Sequence, residues 1–343
     1  MERCLTNSII EYSKPILIIG CGSIGKRHIK NLLSLNACNL IAYDISDNCR
    51  SEVNKKFGVK TVDSLDEAFC LSPHIVMITT PSSRHISLAI QAAQHDCHLF
   101  IEKPLSDSLQ KVDDLISIVK DKNLISLVGC NMRFHPGLMI IKDLIANGTI
   151  GKIVSAKVEF GHYLPNWHPW EDYRKGYSAR IDLGGGVILD AIHEIDYIQW
   201  LFGDVESVFC FSENIKSLEI ETESVAAILI RFSNGIIGEV HLDYIQRDYS
   251  RNCHIIGTEG TIKWDDVAGK VFLYKAKEEK WQTFKNPKGW DFNCMYIDEI
   301  RYFISCVQKN EKTTLDIKQS ERILKTAIAA KKSNETEKIV KIK

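Results

Sequence analysis

Two stretches carry side chains able to move protons. In "LFIEKPL", Leu99–Leu105, Glu102, Lys103 and Pro104 follow a short apolar run. In "DLGGGVILDAIHEIDYIQWLFG", Asp182–Gly203, a glycine triplet opens a segment on which Asp190, His193 and Asp196 recur every three residues. Three-residue spacing puts side chains along one helical face. Histidine titrates near neutrality and suits the binding and deprotonation of a carbinol hydroxyl. An amine of lowered basicity does the same work from the other side. Lys103 and His193 are therefore the candidate catalytic pair, with Asp190 orienting His193 or the substrate. The competing readings are a surface lysine paired with Glu102 and a structural histidine on a half-buried helix.

A third stretch supplies a redox partner for that chemistry. "ILIIGCGSIGKRH", Ile16–His28, runs four apolar residues into Gly20, Gly22 and Gly25, and "NLIAYD" follows, ending in Asp44, 24 positions after Gly20. Gly20 permits a tight turn, Gly22 lets backbone approach a pyrophosphate, and Gly25 lets helix and strand pack closely. The helix start at Ser23 and Ile24 offers unpaired N–H groups to the anion. An acid at the end of the second strand accepts hydrogen bonds from ribose hydroxyls and repels a 2′-phosphate, so the cofactor expected is NAD rather than NADP. Arg50, six residues beyond, is the one nearby cation able to argue for NADP. Lys103, at a strand end, then faces the nicotinamide, whose positive ring depresses its basicity.

The segment "HYLPNWHPWEDYRKGYSARIDLGGG" is crowded with Trp167, His168, Trp170, Tyr173, Arg174, Tyr177 and Arg180. Aromatic faces stack on sugar rings, and arginines clamp carboxylates or phosphates. Trp167, Tyr173 and Arg174 are thus candidate contacts to a polar carbohydrate, anionic if the arginines bind it. An aromatic-rich loop packed on its own domain explains the same residues without a ligand. His95 and His98 lack a third ligand nearby, so no metal is assigned.

These groups need a scaffold, and the chain has room for two domains: 343 residues exceed one ordinary core. Strand patterns at Ile16–Ile19, Leu40–Tyr43, Ile75–Thr79, Leu99–Ile101 and Leu124–Val128 alternate with helical ones. That is a doubly wound α/β pattern, the dinucleotide-binding domain being set at residues 13–129. From 130 to 335 the texture changes to a helix beginning at Pro136, then alternating strands from Lys152 to Tyr274, interrupted by a helix at Gly186–Leu201 and followed by helices at Tyr296–Val307 and Ser320–Lys332. This half is expected to be a large, mostly antiparallel open sheet with helices on one face, and the Lys-rich tail from Lys331 to be frayed.

Lys plus Arg (43) nearly cancels Asp plus Glu (44), which speaks against nucleic acid or an anionic membrane as partner. No apolar run approaches the roughly 20 residues of a membrane helix, so a cytoplasmic location is expected. None of the eleven cysteines forms a C-x-x-C pair, and reduced, scattered thiols are expected.

In order along the chain, the glycine run, "TTPSSRH", "EKP", "GTIGKI", "GGGxxLDxxHEID" and "GTEGTI" resemble the Gfo/Idh/MocA oxidoreductases, the family of glucose-fructose oxidoreductase and inositol dehydrogenase. The resemblance implies a Rossmann domain and a second α/β domain whose sheet forms a homodimer or homotetramer interface. It makes Lys103 and His193 the active-site lysine and histidine. Asp190 takes approximately the place of the preceding aspartate, although "DAIH" has three positions where members have four. Thr80 and Pro81 match the loop lining the nicotinamide ribose, Glu102 joins the cofactor-contacting residues, and Arg133 of "NMRFHP" matches a position near substrate. The implied activity is NAD-dependent hydride transfer to or from a secondary alcohol or ketone of a sugar. Segments like "WHPWEDYR…YSA" suggest a nucleotide-activated or acidic sugar of a bacterial surface-polysaccharide or nonulosonic-acid pathway. The alternatives are transient use of NAD in sugar elimination or glycoside hydrolysis, and a non-catalytic sugar- or dinucleotide-sensing regulator.

Overall fold

The computed structural model describes residues 12–167, 169 and 171–342; Cys4, His168 and Trp170 lie outside the described residues. The chain divides into two units, one of Met1–Asn131 with Asp291–Glu321, the other of Met132–Trp290 with Arg322–Lys343.

The first unit is built on strands β1 (Ile16–Ile19), β2 (Leu40–Tyr43), β3 (Lys60–Thr61), β4 (Ile75–Ile78), β5 (His98–Glu102) and β6 (Ser126–Gly129), all parallel in the order β3-β2-β1-β4-β5-β6. Both faces of β1 and β4 are buried along their whole length. That is why their sequences, ILII and IVMI, are continuous apolar runs rather than alternating ones. Helices α1 (Ser23–Ser34), α2 (Asp47–Phe57), α3 (Leu65–Cys70), α4 (His85–Gln94) and α5 (Val112–Asp121) connect them. Strand order reverses between β1 and β4, so the loops after these two strands flank the crevice where doubly wound sheets bind ligands. Residues 291–321, expected in the second domain, belong here instead: Phe303 meets Phe100 edge-on at 5.7 Å, and Asn293 exchanges side-chain hydrogen bonds with Asn31. An apolar helical stripe such as Ile300, Phe303, Ile304 and Val307 specifies burial but not against which sheet.

The second unit holds β7 (Ile153–Gly161), β8 (Val205–Glu213), β9 (Val225–Phe232), β10 (Ile237–Asp243), β11 (Ser250–Gly257), β12 (Gly260–Asp265), β13 (Lys270–Lys275), β14 (Lys280–Lys285) and β15 (Val340–Lys341). They form one sheet in the order β14-β13-β12-β11-β7-β10-β9-β8-β15, antiparallel except where β7 and β10 run together. One face carries helices α6 (Pro136–Ala146), α7 (Val187–Asp190) and α8 (Ile192–Phe202). The other presents Phe211, Leu229, Ile237, Ile256 and Trp281 to solvent.

Helix α9 (Asn293–Lys309) and helix α10 (Ile317–Thr336) complete the chain. The tail does not fray at Lys331. Ser333 accepts from the Cys210 N–H and Asn334 from the Ser212 N–H, pinning α10 to β8, and β15 then pairs with the same strand. Nine described cysteines are free thiols.

Candidate active site

In the first unit Gly20 makes the tight turn, and Gly25 the close packing, that their spacing predicts. Gly20 has φ +102°, and a Cβ at Gly25 would sit 2.0 Å from the Gly20 carbonyl oxygen, so no larger residue lets α1 start this close to β1. A Cβ on Gly22 would meet nothing within 4 Å, which leaves the space above the turn open. The Thr79 hydroxyl, buried, donates to the carbonyls of Ile19 and Gly20 and fastens the end of β4 to the turn. Thr80 and Pro81 are thereby carried to its rim, half-buried.

Asp44 ends the second strand with its carboxylate turned back to the turn: one oxygen accepts from the Cys21 N–H at 2.7 Å, the other from the Ser46 N–H at 2.8 Å. Each oxygen retains acceptor capacity for a ribose hydroxyl. Arg50, the one cation that argued for NADP, is already engaged. It donates to the Asp44 carbonyl at 2.6 Å and to the carboxylates of Asp47 at 2.5 Å and Asp63 at 3.1 Å. A tight turn, open space above it, a helix N-terminus and an anchored acid fit a dinucleotide without a 2′-phosphate.

At the end of β5, Glu102 is 6% exposed and its carboxylate points inward. One oxygen lies 2.5 Å from His28 Nε2 and the other accepts the Lys103 N–H at 3.2 Å. Glu102 thus braces the turn from beneath, while Lys103, half-buried, follows it at a cis peptide bond to Pro104.

In the second unit the expected single helix from Gly186 to Leu201 is broken. Ala191, with φ −89° and ψ 33°, separates α7 from α8. Asp190 and Asp196 consequently reach different surroundings rather than one face. Asp190, 6% exposed, accepts from the Ser178 hydroxyl at 2.5 Å and the Tyr244 hydroxyl at 3.1 Å. His193, 9% exposed, opens α8 three residues later. Asp196, wholly buried, receives the Arg133 guanidinium in a fork, with contacts at 2.7 and 3.1 Å. Arg133, expected near substrate, is therefore held by a carboxylate, its side chain 11% exposed.

The glycine triplet before α7 answers to packing. Gly186 has φ +111°, and a Cβ there would lie 2.4 Å from a Glu223 carboxylate oxygen. Glu223 accepts the Val187 N–H on its backbone carbonyl and the Ile188 N–H on its side chain, so it caps the segment that carries Asp190. Burial raises the proton affinity of Glu223 against the opposing charge of Lys331.

Of the aromatic segment, Trp167 stacks on His162 and meets Tyr244 edge-on at 5.4 Å, joining the Asp190 cluster. Tyr173 donates to the Leu218 carbonyl, and Arg174 pairs with Asp172 at 2.9 Å and Glu219 at 2.7 Å. Ser178, Glu223 and Tyr244, unnamed from the sequence, are thus the immediate partners of the region. Only Ser178 lay in a stretch with any signal.

Residues 14–130 match the model of the oxidoreductase family with an NAD-binding Rossmann fold, and residues 139–263 that of the GFO/IDH/MocA C-terminal domain. The myo-inositol 2-dehydrogenase of Thermotoga maritima is 28% identical over 337 residues, 95% of this chain and 97% of that one. The scyllo-inositol 2-dehydrogenase (NAD(+)) of Bacillus subtilis is 27% identical over 89% of each. A levoglucosan dehydrogenase solved in complex with NADH superposes with a TM-score of 0.88 at 21% identity, covering 97% of this chain and 100% of that one, a likeness of fold. The chain belongs to the Gfo/Idh/MocA family of NAD-binding oxidoreductases.

Proposed function

We propose that the protein transfers a hydride between NAD and a secondary alcohol or ketone of a sugar or cyclic polyol. Bound nicotinamide supplies the hydride-accepting or hydride-donating carbon. Lys103 and His193 handle the hydroxyl proton, and Asp190 holds the substrate or the His193 ring. The observation that carries the reading is the Asp190 cluster: a buried carboxylate already holding two hydroxyl donors, Ser178 and Tyr244, three residues before His193 and walled by Trp167. A carboxylate so arranged binds hydroxyls, the groups a polyol offers. The inositol dehydrogenases among the relatives support the same substrate class.

The finer reading, a nucleotide-activated or acidic sugar, rests on arginines in the aromatic segment. Arg174 and Arg180 are both satisfied by carboxylates, Asp172 with Glu219 and Asp182 respectively, which favours a neutral ring over an anionic one. A panel of inositols, neutral sugars, nucleotide sugars and sialic-acid-like acids, followed by reduced-nicotinamide absorbance, tests this. Turnover of a neutral ring with net NADH formation is the expected result. Turnover confined to acids rejects the neutral-ring reading, and product formation without NADH accumulation rejects net oxidation.

We propose further that the chain assembles as a homodimer or homotetramer through the uncovered face of the β7–β15 sheet. Phe211, Leu229, Ile237, Ile256 and Trp281 point outward there, a spread of apolar side chains that a lone subunit rarely exposes. Leu229→Glu should shift sedimentation toward the monomer. An unshifted assembly assigns the contact elsewhere.

A further inference from the structure

Gly25 and His28 lie three residues apart on α1, hence on one face. Gly25 brings that face against the end of β1, and His28, wholly buried, then reaches the end of β5, where its Nε2 meets Glu102. His28 Nδ1 is buried without a hydrogen-bond partner. A buried N–H without an acceptor costs more than a bare lone pair, so the proton sits on Nε2 and is donated to Glu102. The second Glu102 oxygen takes the Lys103 N–H. Gly129, paired with Glu102 across β6, leaves room for this: a Cβ there would come within 3.3 Å of the same carboxylate.

We propose that Glu102, held by His28, is the positioning residue for Lys103: a buried carboxylate that fixes the Lys103–Pro104 turn and supplies the counter-charge that keeps the Lys103 side chain an ammonium. This rests on Lys103 being the proton-carrying group proposed above. The charges facing this region are Arg27 and His28 from α1, Tyr296 and Glu299 from α9, His85 from α4, and Asp107 beyond the turn. The Tyr296 hydroxyl feels Glu102, Arg27, Lys103 and Glu299, and His85 feels Glu102 and Asp107. Arg27 lies over the Tyr296 ring at 4.7 Å, its charge directed at the aromatic face. Within this set Glu102 accepts the Lys103 N–H.

The test needs no substrate. Trace acetylation of the full-length, cofactor-free protein with acetic anhydride across pH, read by mass spectrometry on the Lys103 peptide against that of exposed Lys56, gives the midpoint at which the amine becomes reactive. Glu102→Gln keeps the shape and removes the charge, and should move that midpoint to lower pH by about one unit, while Glu102→Asp leaves it near the wild-type value. An unchanged midpoint in folded Glu102→Gln overturns the proposal. If that variant fails to fold, nitrogen-15 spectra of wild-type His28 decide: a protonated Nε2 with a bare Nδ1 at neutral pH is expected, and protonation at both nitrogens overturns it. Loss of the proton role of Lys103 would appear separately, as surviving turnover in a Lys103 variant, and would leave the labelling midpoint intact.

Discussion

Lys103→Met should reduce turnover by about 10²–10⁴-fold, the usual contribution of a positioned proton-transfer group, while NADH affinity stays within about threefold of wild type. The two halves of this expectation come from different parts of the first unit. In the proposed site the pyrophosphate and ribose fall to the Gly20–Gly25 turn and Asp44, which hold one another through the Cys21 N–H. The turn at Lys103 is held by its backbone, through Glu102 and His28, so methionine removes the amine without removing the brace. Tryptophan-to-NADH energy transfer measures binding and steady-state absorbance measures turnover. Parallel loss of both would mean that Lys103 builds the cofactor pocket; turnover undiminished at saturation would remove the lysine from the chemistry.

Legibility followed the range of the interactions. The Rossmann strands could be read because burial on both faces leaves a local mark, an unbroken apolar run, and the cofactor turn because Gly25 answers to a steric contact with the Gly20 carbonyl in the same turn. The antiparallel strands could be read by alternation until β14, KWQTFK, where nearly every side chain is exposed and alternation has nothing to report. The break at Ala191 was invisible, since neither glycine nor proline marks it. What surrounds it is tertiary: Asp190 is held by Ser178 and Tyr244, 12 and 54 residues away, and Glu223 caps the segment from 35 residues away. The docking of 291–321 on the first unit was invisible for the same reason. A helix face records that it is buried, whereas the partner is written elsewhere in the chain.

Arg133→Met should destabilise the protein by about 3–5 kcal/mol, the cost of leaving a buried carboxylate without its partner. Asp196 is 0% exposed and takes the guanidinium on both oxygens. Trp200, one turn further along α8, lies beside the same guanidinium, its ring centroid 5.6 Å from the Arg133 carbon, with the Lys142 ammonium 3.9 Å from that ring. Solvent cannot replace the lost donors at a site this enclosed, so Asp196 must either take up a proton or drag water inward. The double variant Arg133→Met/Asp196→Leu removes both charges and should recover most of the loss, because an apolar pair of similar volume carries no desolvation cost. Urea unfolding of the three proteins gives the numbers. The expectation also separates two roles for Arg133: a substrate-binding arginine raises KM and leaves the unfolding midpoint alone, whereas a structural partner of Asp196 lowers the midpoint first. An unchanged midpoint in Arg133→Met would return Arg133 to the substrate side and leave the burial of Asp196 to be sustained by other donors.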